Sequence, residues 1–176
     1  MLQYRAQFIS SYFKQEYKKA AASATATRMQ LLDLSKSRRI LSATRVIAVV
    51  GLSPKPERPS NQVARYLLGR GYRVIPVNPG QQTILGLPCY PDLDSAARAL
   101  TVRIDLVNIF RRSDQVLPVV AAAIAVGAGA VWMQEGVINR EAARLAEAAG
   151  LEVVMDQCIK TVDEQLFGPG SPPPTG

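Results

Sequence analysis

A loop rich in hydroxyl and cationic side chains follows the apolar run VIAVV at residues 46–50. The ten residues of this loop read GLSPKPERPS. They supply a glycine for a tight turn, two hydroxyl groups and two cations: Gly51, Ser53, Ser60, Lys55 and Arg58. A helix is predicted to begin at Ser60 or Asn61, and the N-terminus of a helix attracts anions. The loop therefore predicts an anion-binding cradle.

The same loop excludes two common nucleotide-binding motifs. The dinucleotide motif G-x-G-x-x-G would need glycines at positions 53 and 56, where the chain has Ser53 and Pro56. The P-loop motif G-x-x-x-x-G-K-[ST] occurs nowhere in the sequence. The anion site is therefore predicted to be of another kind.

The elements that position this loop alternate between apolar strands and helices. Strands are predicted at 45–50, 72–79, 104–110, 128–134 and 151–155, with a weak third strand within 83–90. Helices are predicted at 61–69, 92–100, 113–126 (capped by Ser113) and 139–149 (capped by Asn139 or a neighbour), and a loop or short turn at 156–160. This alternation predicts an α/β fold with a doubly wound parallel sheet, most simply in the order 3-2-1-4-5-6. Pro76 cannot donate a ladder hydrogen bond, so the outer neighbour of the second strand is predicted to be short or displaced.

In such a sheet, ligands bind beyond the carboxyl ends of the strands, between strands 1 and 4. Besides the first loop, the residues at those ends are Asn78, Pro79, Phe110, Arg111, Arg112, Gln134, Glu135, Gly136, Asp156, Gln157 and Cys158. An NAD enzyme normally has a carboxylate after the second strand, so Asn78 argues against NAD. Together with Lys55 and Arg58, the pair Arg111–Arg112 supplies up to four positive charges, which suits a ligand with several phosphates.

Composition limits the classes of protein that the chain can belong to. The 176 residues are 48% hydrophobic and 20% charged, which is ordinary for one globular domain. Most of the net charge of +7 falls within residues 1–44, so a nucleic-acid-binding face on the domain is not predicted. The chain has no histidine and two cysteines without C-x-x-C spacing, so neither a metal site nor a histidine-activated nucleophile is predicted. No apolar run is long enough to span a membrane.

The two ends of the chain differ in composition from its middle. Residues 1–30 have the pattern of a basic amphipathic helix, which could be a leader, an organelle-targeting segment or a contact for a homodimer or a partner protein. Residues 163–176 are rich in proline and glycine at their end and are predicted to be a flexible tail. The expected domain therefore covers residues 31–162. Separately, the low number of cysteines favours a cytoplasmic location.

Six segments resemble the motifs of small stand-alone CoA-binding proteins, in order and with natural spacing. These segments are VGLSPKPERPS, GYRVIPVNP, ILGLPCY, DLVNIFRR, AVWMQEGV and DQCIK. The family's domain is similar to the CoA-binding domain of the succinyl-CoA synthetase α subunit and of related acyl-CoA synthetases. The resemblance extends from Ile40 to Val162. It implies a Rossmann-type domain that holds CoA or an acyl-CoA.

The resemblance also implies roles for the matching positions. The residues that would cradle the phosphates are Gly51, Ser53, Lys55, Arg58 and Ser60. Those that would border the adenosine are Asn78 and Pro79. The region that crosses the strand ends would be lined by Phe110, Arg111 and Arg112, and the pantetheine arm would be bordered by Gln134, Gly136 and Val137. The synthetases also use a phosphohistidine and an ATP-grasp domain, so this chain, which lacks histidine, is expected to have no ligase activity of its own.

The leading hypothesis is therefore a CoA or acyl-CoA binding protein with no assigned catalytic residue. The alternative is an oxidoreductase or transferase that uses NAD(P) or another nucleotide, and a third hypothesis is an interaction protein with an empty, vestigial site. Cys158 is interpreted either as a structural cysteine or as a thiol that could exchange with CoA or accept an acyl group.

Overall fold

The computed structural model describes residues 33–169. The predicted N-terminal helix over 1–30 and the end of the predicted tail, from 170 onward, lie outside the described residues. The chain divides after Lys36, and the unit that begins at Ser37 carries the sheet. Residues 33–43 are helical, and we name this segment α1.

Five parallel strands form the central sheet, in the order β2-β1-β5-β6-β7. Their bounds are Val46–Val50 (β1), Arg73–Val77 (β2), Leu106–Ile109 (β5), Ala130–Met133 (β6) and Glu152–Val154 (β7). Most strand residues are buried, because helices cover both faces of the sheet and apolar side chains are needed on each. The predicted Rossmann-like α/β class is confirmed.

The third predicted strand does not join this sheet. Two short strands, Thr83–Ile84 (β3) and Leu87–Pro88 (β4), pair with each other as an antiparallel hairpin. Beside β2, the outer neighbour is reduced to Tyr90, whose N–H donates to the Pro76 carbonyl at 3.0 Å and whose carbonyl accepts from Asn78 N–H at 2.8 Å. The predicted order 3-2-1-4-5-6 is thus wrong in its first member. The cause is Pro76, which has no N–H to donate, so the outer side of β2 supports little pairing.

Two layers of helices pack against the sheet. Their bounds are Pro59–Gly69 (α2), Leu93–Ala99 (α3), Val116–Ala125 (α4), Arg140–Ala148 (α5) and Ile159–Phe167 (α6). On one face, Leu67 of α2 and Ile159 of α6 share an apolar core with Trp132 of β6. On the other face, residues of α3, α4 and α5 form a second core with the alternate strand residues.

Of the two helix caps predicted from the sequence, the structure has one and lacks the other. Asn139 Oδ1 accepts from Ala142 N–H at 2.9 Å and begins α5, as predicted. Ser113 was predicted to cap the following helix, but it opens a short 3-10 turn over Ser113–Gln115. Its hydroxyl oxygen instead accepts from Ile138 N–H at 2.9 Å.

A buried cluster attaches α6 to the rest of the domain. Asp163 of α6 is fully buried, and its carboxylate accepts from the hydroxyls of Tyr66 at 2.7 Å and Tyr72 at 3.0 Å. The Nε atom of Arg70 lies 2.7 Å from Asp163 Oδ2, although the angle is poor for a hydrogen bond. Burial raises the pKa of both tyrosines above the usual range, and the charge of Asp163 and its hydrogen bonds to them add to this effect. The sequence predicted a loop and a tail here, so α6 and its buried carboxylate are corrections to that prediction.

Asp163→Ala is expected to destabilise the protein by about 3–5 kcal/mol, because it leaves the buried Arg70 charge without compensation. Chemical denaturation of the two proteins measures this difference in the free energy of unfolding. Asp94→Ala is the matched control, since it breaks an ion pair with Arg98 whose side chains are 63% and 70% exposed. The control should lose less than about 1 kcal/mol. Equal losses in the two variants would contradict this account of the cluster.

Candidate functional site at the carboxyl ends of the strands

A cleft of about 650 Å³ opens between the first residues of α2, the N-cap residue of α6 and the residues that follow β1, β5 and β6. It is lined by Gly51, Ser53, Arg58, Pro59, Ser60, Val63, Phe110, Gln134, Glu135, Val137 and Cys158. The sheet order places β1 beside β5, with connections that leave in opposite directions, so the cleft lies at the topological switch point.

Gly51 brings the backbones that follow β1 and β5 into close contact. Its N–H donates to the Val77 carbonyl at 2.9 Å, and its φ is +85°. A Cβ at this position would overlap the carbonyl oxygen of Phe110. Position 51 therefore requires glycine both for the backbone angle and for the space.

Hydroxyl and amide side chains fix the shape of the loop after β1. Ser60 Oγ accepts from Ser53 N–H at 3.0 Å, and Ser53 Oγ accepts from Lys55 N–H at 3.2 Å. Asn61 donates through Nδ2 to the Ser53 carbonyl at 2.8 Å. A serine that accepts in this way keeps its own O–H for a ligand, so the same groups can shape the loop and contact an anion.

The N-terminus of α2 lines the cleft without a side-chain cap. Arg58 occupies the N-cap position, Pro59 begins the helix, and the first turn contains no acidic residue. The helix dipole places a partial positive charge here, to which the exposed Arg58 side chain adds a full one. This end of the cleft therefore favours negatively charged groups.

A hydrogen-bonded turn closes the other end of the cleft. Val137 N–H donates to the Gln134 carbonyl at 2.8 Å, and Gly136 has a φ of +78°, as a turn with glycine at its third position allows. The buried Gln134 side chain donates to Asn108 Oδ1 at 2.7 Å, and Gly136 N–H donates to Asp156 Oδ1 at 2.7 Å. These bonds anchor the turn to β5 and to the residues after β7.

The cleft brings together about half of the residues that were predicted for the site. Those that line it are Gly51, Ser53, Arg58, Ser60, Phe110, Gln134 and Val137. Those that do not line it are Lys55, Asn78, Pro79, Arg111, Arg112 and Gly136. Arg111 is adjacent nonetheless, because its Nε atom lies 3.4 Å from the position that a Cβ on Gly51 would take.

Two of the residues outside the cleft are engaged elsewhere. Asn78 donates through Nδ2 to the Leu52 carbonyl at 2.9 Å and accepts from Gly80 N–H at 3.0 Å. Arg112 forms an exposed ion pair with Asp114 at 2.6 Å, and this guanidinium lowers the pKa of the Asp114 carboxyl group. The predicted arginine pair thus separates into one residue beside the cleft and one paired within its own turn.

Four lining residues were not assigned to the site from the sequence. Pro59 begins α2 directly before Ser60, and Val63 lies one helical turn beyond Ser60, where helical periodicity could have placed it in the site. Glu135 and Cys158 were placed at the strand ends, Cys158 also as a thiol that could react with CoA, but neither was assigned to ligand binding. Cys158 is a free thiol at the N-cap of α6, whereas Cys89 lies outside the cleft and burial raises the pKa of its thiol.

Within residues 33–169, no group of three His, Cys, Asp or Glu side chains is arranged to hold a metal ion. No helix among these residues is long and apolar enough to cross a membrane.

Gly51→Ala is expected to destabilise the protein by about 2 kcal/mol or more, because alanine is strained at positive φ and its methyl group would displace the Phe110 carbonyl. Thermal and chemical denaturation measure the loss. Gly69→Ala is the control, since that residue has an ordinary φ and nothing within 4 Å of the added atom. The control should change stability by less than about 1 kcal/mol in either direction. A Gly51→Ala variant as stable as the control would show that the close contact is not limiting.

Comparison with known proteins identifies the family. The profile of the CoA binding domain matches residues 45–164. The uncharacterized protein YneT of Bacillus subtilis is 37% identical over 132 residues, which cover 75% of this chain and 95% of YneT. A hypothetical protein from Pyrococcus horikoshii OT3, of known structure, is 40% identical with a TM-score of 0.71 and is covered over 92% of its length, against 77% of this chain.

The same domain occurs within a much larger enzyme. An ADP-forming acetate–CoA ligase of Archaeoglobus fulgidus is 26% identical over 132 residues, which cover 69% of this chain but 19% of the ligase. The resemblance read from the sequence motifs is therefore confirmed, and the chain belongs to the CoA-binding domain family.

Proposed function

We propose that this protein binds CoA or an acyl-CoA in the cleft at the carboxyl ends of its strands. The observation that carries the proposal is the uncapped N-terminus of α2, which lines the cleft together with Arg58 and the hydroxyls of Ser53 and Ser60. CoA carries its phosphates at one end and a neutral amide arm with a thiol at the other. A cleft with one cationic end and a partly apolar remainder suits such a ligand.

Residues after the first two strands favour CoA over a nicotinamide nucleotide. In dinucleotide enzymes, a carboxylate after the second strand holds the ribose hydroxyls. Here Asn78 occupies that place, and its amide is committed to Leu52 and Gly80. The loop also keeps Ser53 where the second glycine of the dinucleotide motif would let a pyrophosphate approach the backbone.

We infer further that the protein holds its ligand without ligating it. The part of the Archaeoglobus ligase that it matches is 19% of that enzyme, so most of the ligase has no counterpart in this similarity. The chain also contains no histidine for a phosphohistidine relay. The supported role is therefore a carrier or sensor of CoA species that acts alone or with a partner protein.

Arg58→Ala is expected to weaken CoA binding by about tenfold or more, because it removes a full charge from the phosphate end of the cleft. Isothermal titration with CoA measures the dissociation constant. Arg98→Ala is the control, since that arginine is exposed on α3 and lies outside the cleft. The two variants have the same net charge, so they differ only in where the charge is removed. Wild-type protein that shows no heat of binding with CoA would overturn the proposed function.

The two adjacent arginines are expected to differ in their contribution to binding. Arg111→Ala should weaken CoA binding more than Arg112→Ala does, because Arg111 reaches Gly51 whereas Arg112 is already paired with Asp114. The expected ratio between the two variants is about threefold or more. The same titration compares them, and a larger loss in Arg112→Ala would place the phosphates on the outer side of this turn instead.

A further inference from the structure

Helix α4 has no polar side. Its sequence, VLPVVAAAIA, contains no polar or charged side chain. The side that packs on the sheet contains Val116, Val120 and Ala123, and on the opposite side Ala121 and Ala125 are exposed. A helix on the surface of a domain normally carries polar residues on its outer side, whereas a helix that is apolar all round is normally buried. The outer side of α4 is therefore expected to be covered by another surface.

Large apolar side chains extend this exposed side toward α5. Among residues 33–169, the large hydrophobic residues that are exposed are Ile138, at 47%, and Leu145, at 41%. Ile138 lies beside the start of α4, because its N–H donates to Ser113 Oγ at 2.9 Å. Leu145 follows seven residues later in α5, so two turns of helix place it on the same side. Both exposed side chains thus lie next to the helix that has no polar residue.

We name this surface the α4–α5 face, and it is separate from the cleft. Its exposed apolar residues are Pro118, Ala121, Ala125, Ile138 and Leu145. Helices α4 and α5 pack on one face of the sheet, whereas α2 and α6 pack on the other. None of the residues of the α4–α5 face lines the cleft. A ligand in the cleft therefore leaves this apolar surface exposed.

The charges on α5 form a pattern that is complementary to its own reverse. The charged residues of α5 are all exposed and are, in order, Arg140, Glu141, Arg144 and Glu147. Read backward, this series of signs changes from plus, minus, plus, minus to its opposite. Two antiparallel copies of α5 would therefore place each arginine opposite a glutamate, whereas two parallel copies would place like charges together. The helix carries no net charge, although the whole chain carries +7.

We propose that the α4–α5 face binds the same face of a second copy of this chain, with a two-fold axis between the copies and their α5 helices antiparallel. A two-fold axis brings the same patch of both copies together, so the patch must be complementary to itself. The apolar residues of α4 form the centre of this contact, and the alternating charges of α5 form its rim. A partner with a strongly charged surface would be repelled by half of the rim residues, whereas a second copy matches all of them.

The size of the α4–α5 face predicts a weak dimer. Helices α4 and α5 have 10 and 9 residues, so each is about 14–15 Å long, and packed helices lie about 10 Å apart. Each copy therefore contributes a surface of about 15 by 20 Å together with its rim, which is at the low end of specific protein interfaces. The expected dissociation constant of the dimer is about 10–100 μM.

Sedimentation velocity of the full chain from about 1 μM to 1 mM measures the expected change from monomer to dimer. Ala121→Glu places a charge at the centre of the contact and should raise the dissociation constant by about tenfold or more. Leu145→Glu is a second variant with the same expected result. Gln165→Glu is the control, because it makes an equally charged change from a neutral residue at an exposed position of α6, on the other face of the sheet. The control should dimerise like the wild-type protein.

A charge reversal tests the identity of the partner. Arg144→Glu should weaken the dimer by about threefold or more, because it faces Glu141 of the other copy, and adding Glu141→Arg should restore the affinity to within about twofold. A double variant that is weaker than the single variant would overturn the antiparallel contact.

A protein that is monomeric at 1 mM, or a dimer that neither Ala121→Glu nor Leu145→Glu weakens, would overturn the proposal. The thermal denaturation midpoint of each variant shows whether it is folded, and the exposed positions of these residues predict that it is. Titration with CoA should give the wild-type affinity in all of these variants, because none of the substituted residues lines the cleft. Failure of the wild-type protein to bind CoA would overturn the proposed function and leave the dimer contact standing.

Discussion

The buried carboxylate of Asp163 is the interaction on which the geometry of the cleft depends. It contacts Tyr66 within α2, Arg70 just after that helix, and Tyr72 just before β2, and it belongs to α6. One acidic side chain thus joins the two helices whose N-termini line the cleft. A buried ion pair contributes little net stability compared with apolar packing, but it fixes a single arrangement because breaking it strands a charge. The spacing between α2 and α6 is therefore set by chemistry rather than by apolar contact alone.

The parts of the fold that the sequence predicted are those in which apolar patterning is uninterrupted. The strands that are buried on both faces stand out as continuous apolar runs, and Asn139 caps α5 as expected. Helix α6 was missed because its inward face reads Ile159, Val162, Asp163 and Leu166, so that a carboxylate occupies a core position of the helical pattern. Only the three-dimensional position of Arg70 and the tyrosines makes that residue compatible with burial.

For the site, the sequence predicted which loops lie together but not which group each side chain contacts. The strand-end rule depends only on topology, and it correctly brings the residues after β1, β5 and β6 to one cleft. Side-chain partners depend on local geometry that a linear pattern does not contain. Arg112 turns to Asp114 two residues away, and the hydroxyl of Ser113, which was expected to cap a helix, holds Ile138 N–H instead. The first choice leaves Arg112 outside the cleft, and the second ties the turn after β5 to the segment after β6.

The capping of the helices connects the fold to the proposed ligand. Asp92 caps α3 and Asn139 caps α5 through hydrogen bonds of 2.7 and 2.9 Å, whereas α2, α4 and α6 have no side-chain cap, and α4 instead continues the 3-10 turn at Ser113–Gln115. A missing cap costs a helix about 1 kcal/mol, and α2 and α6 are the two helices that open into the cleft. An anion at the N-terminus of α2 would supply the missing acceptor, so the cost to the free protein becomes a gain on binding. The loop at this end is already shaped by its own hydrogen bonds, so little further ordering of the backbone opposes that gain.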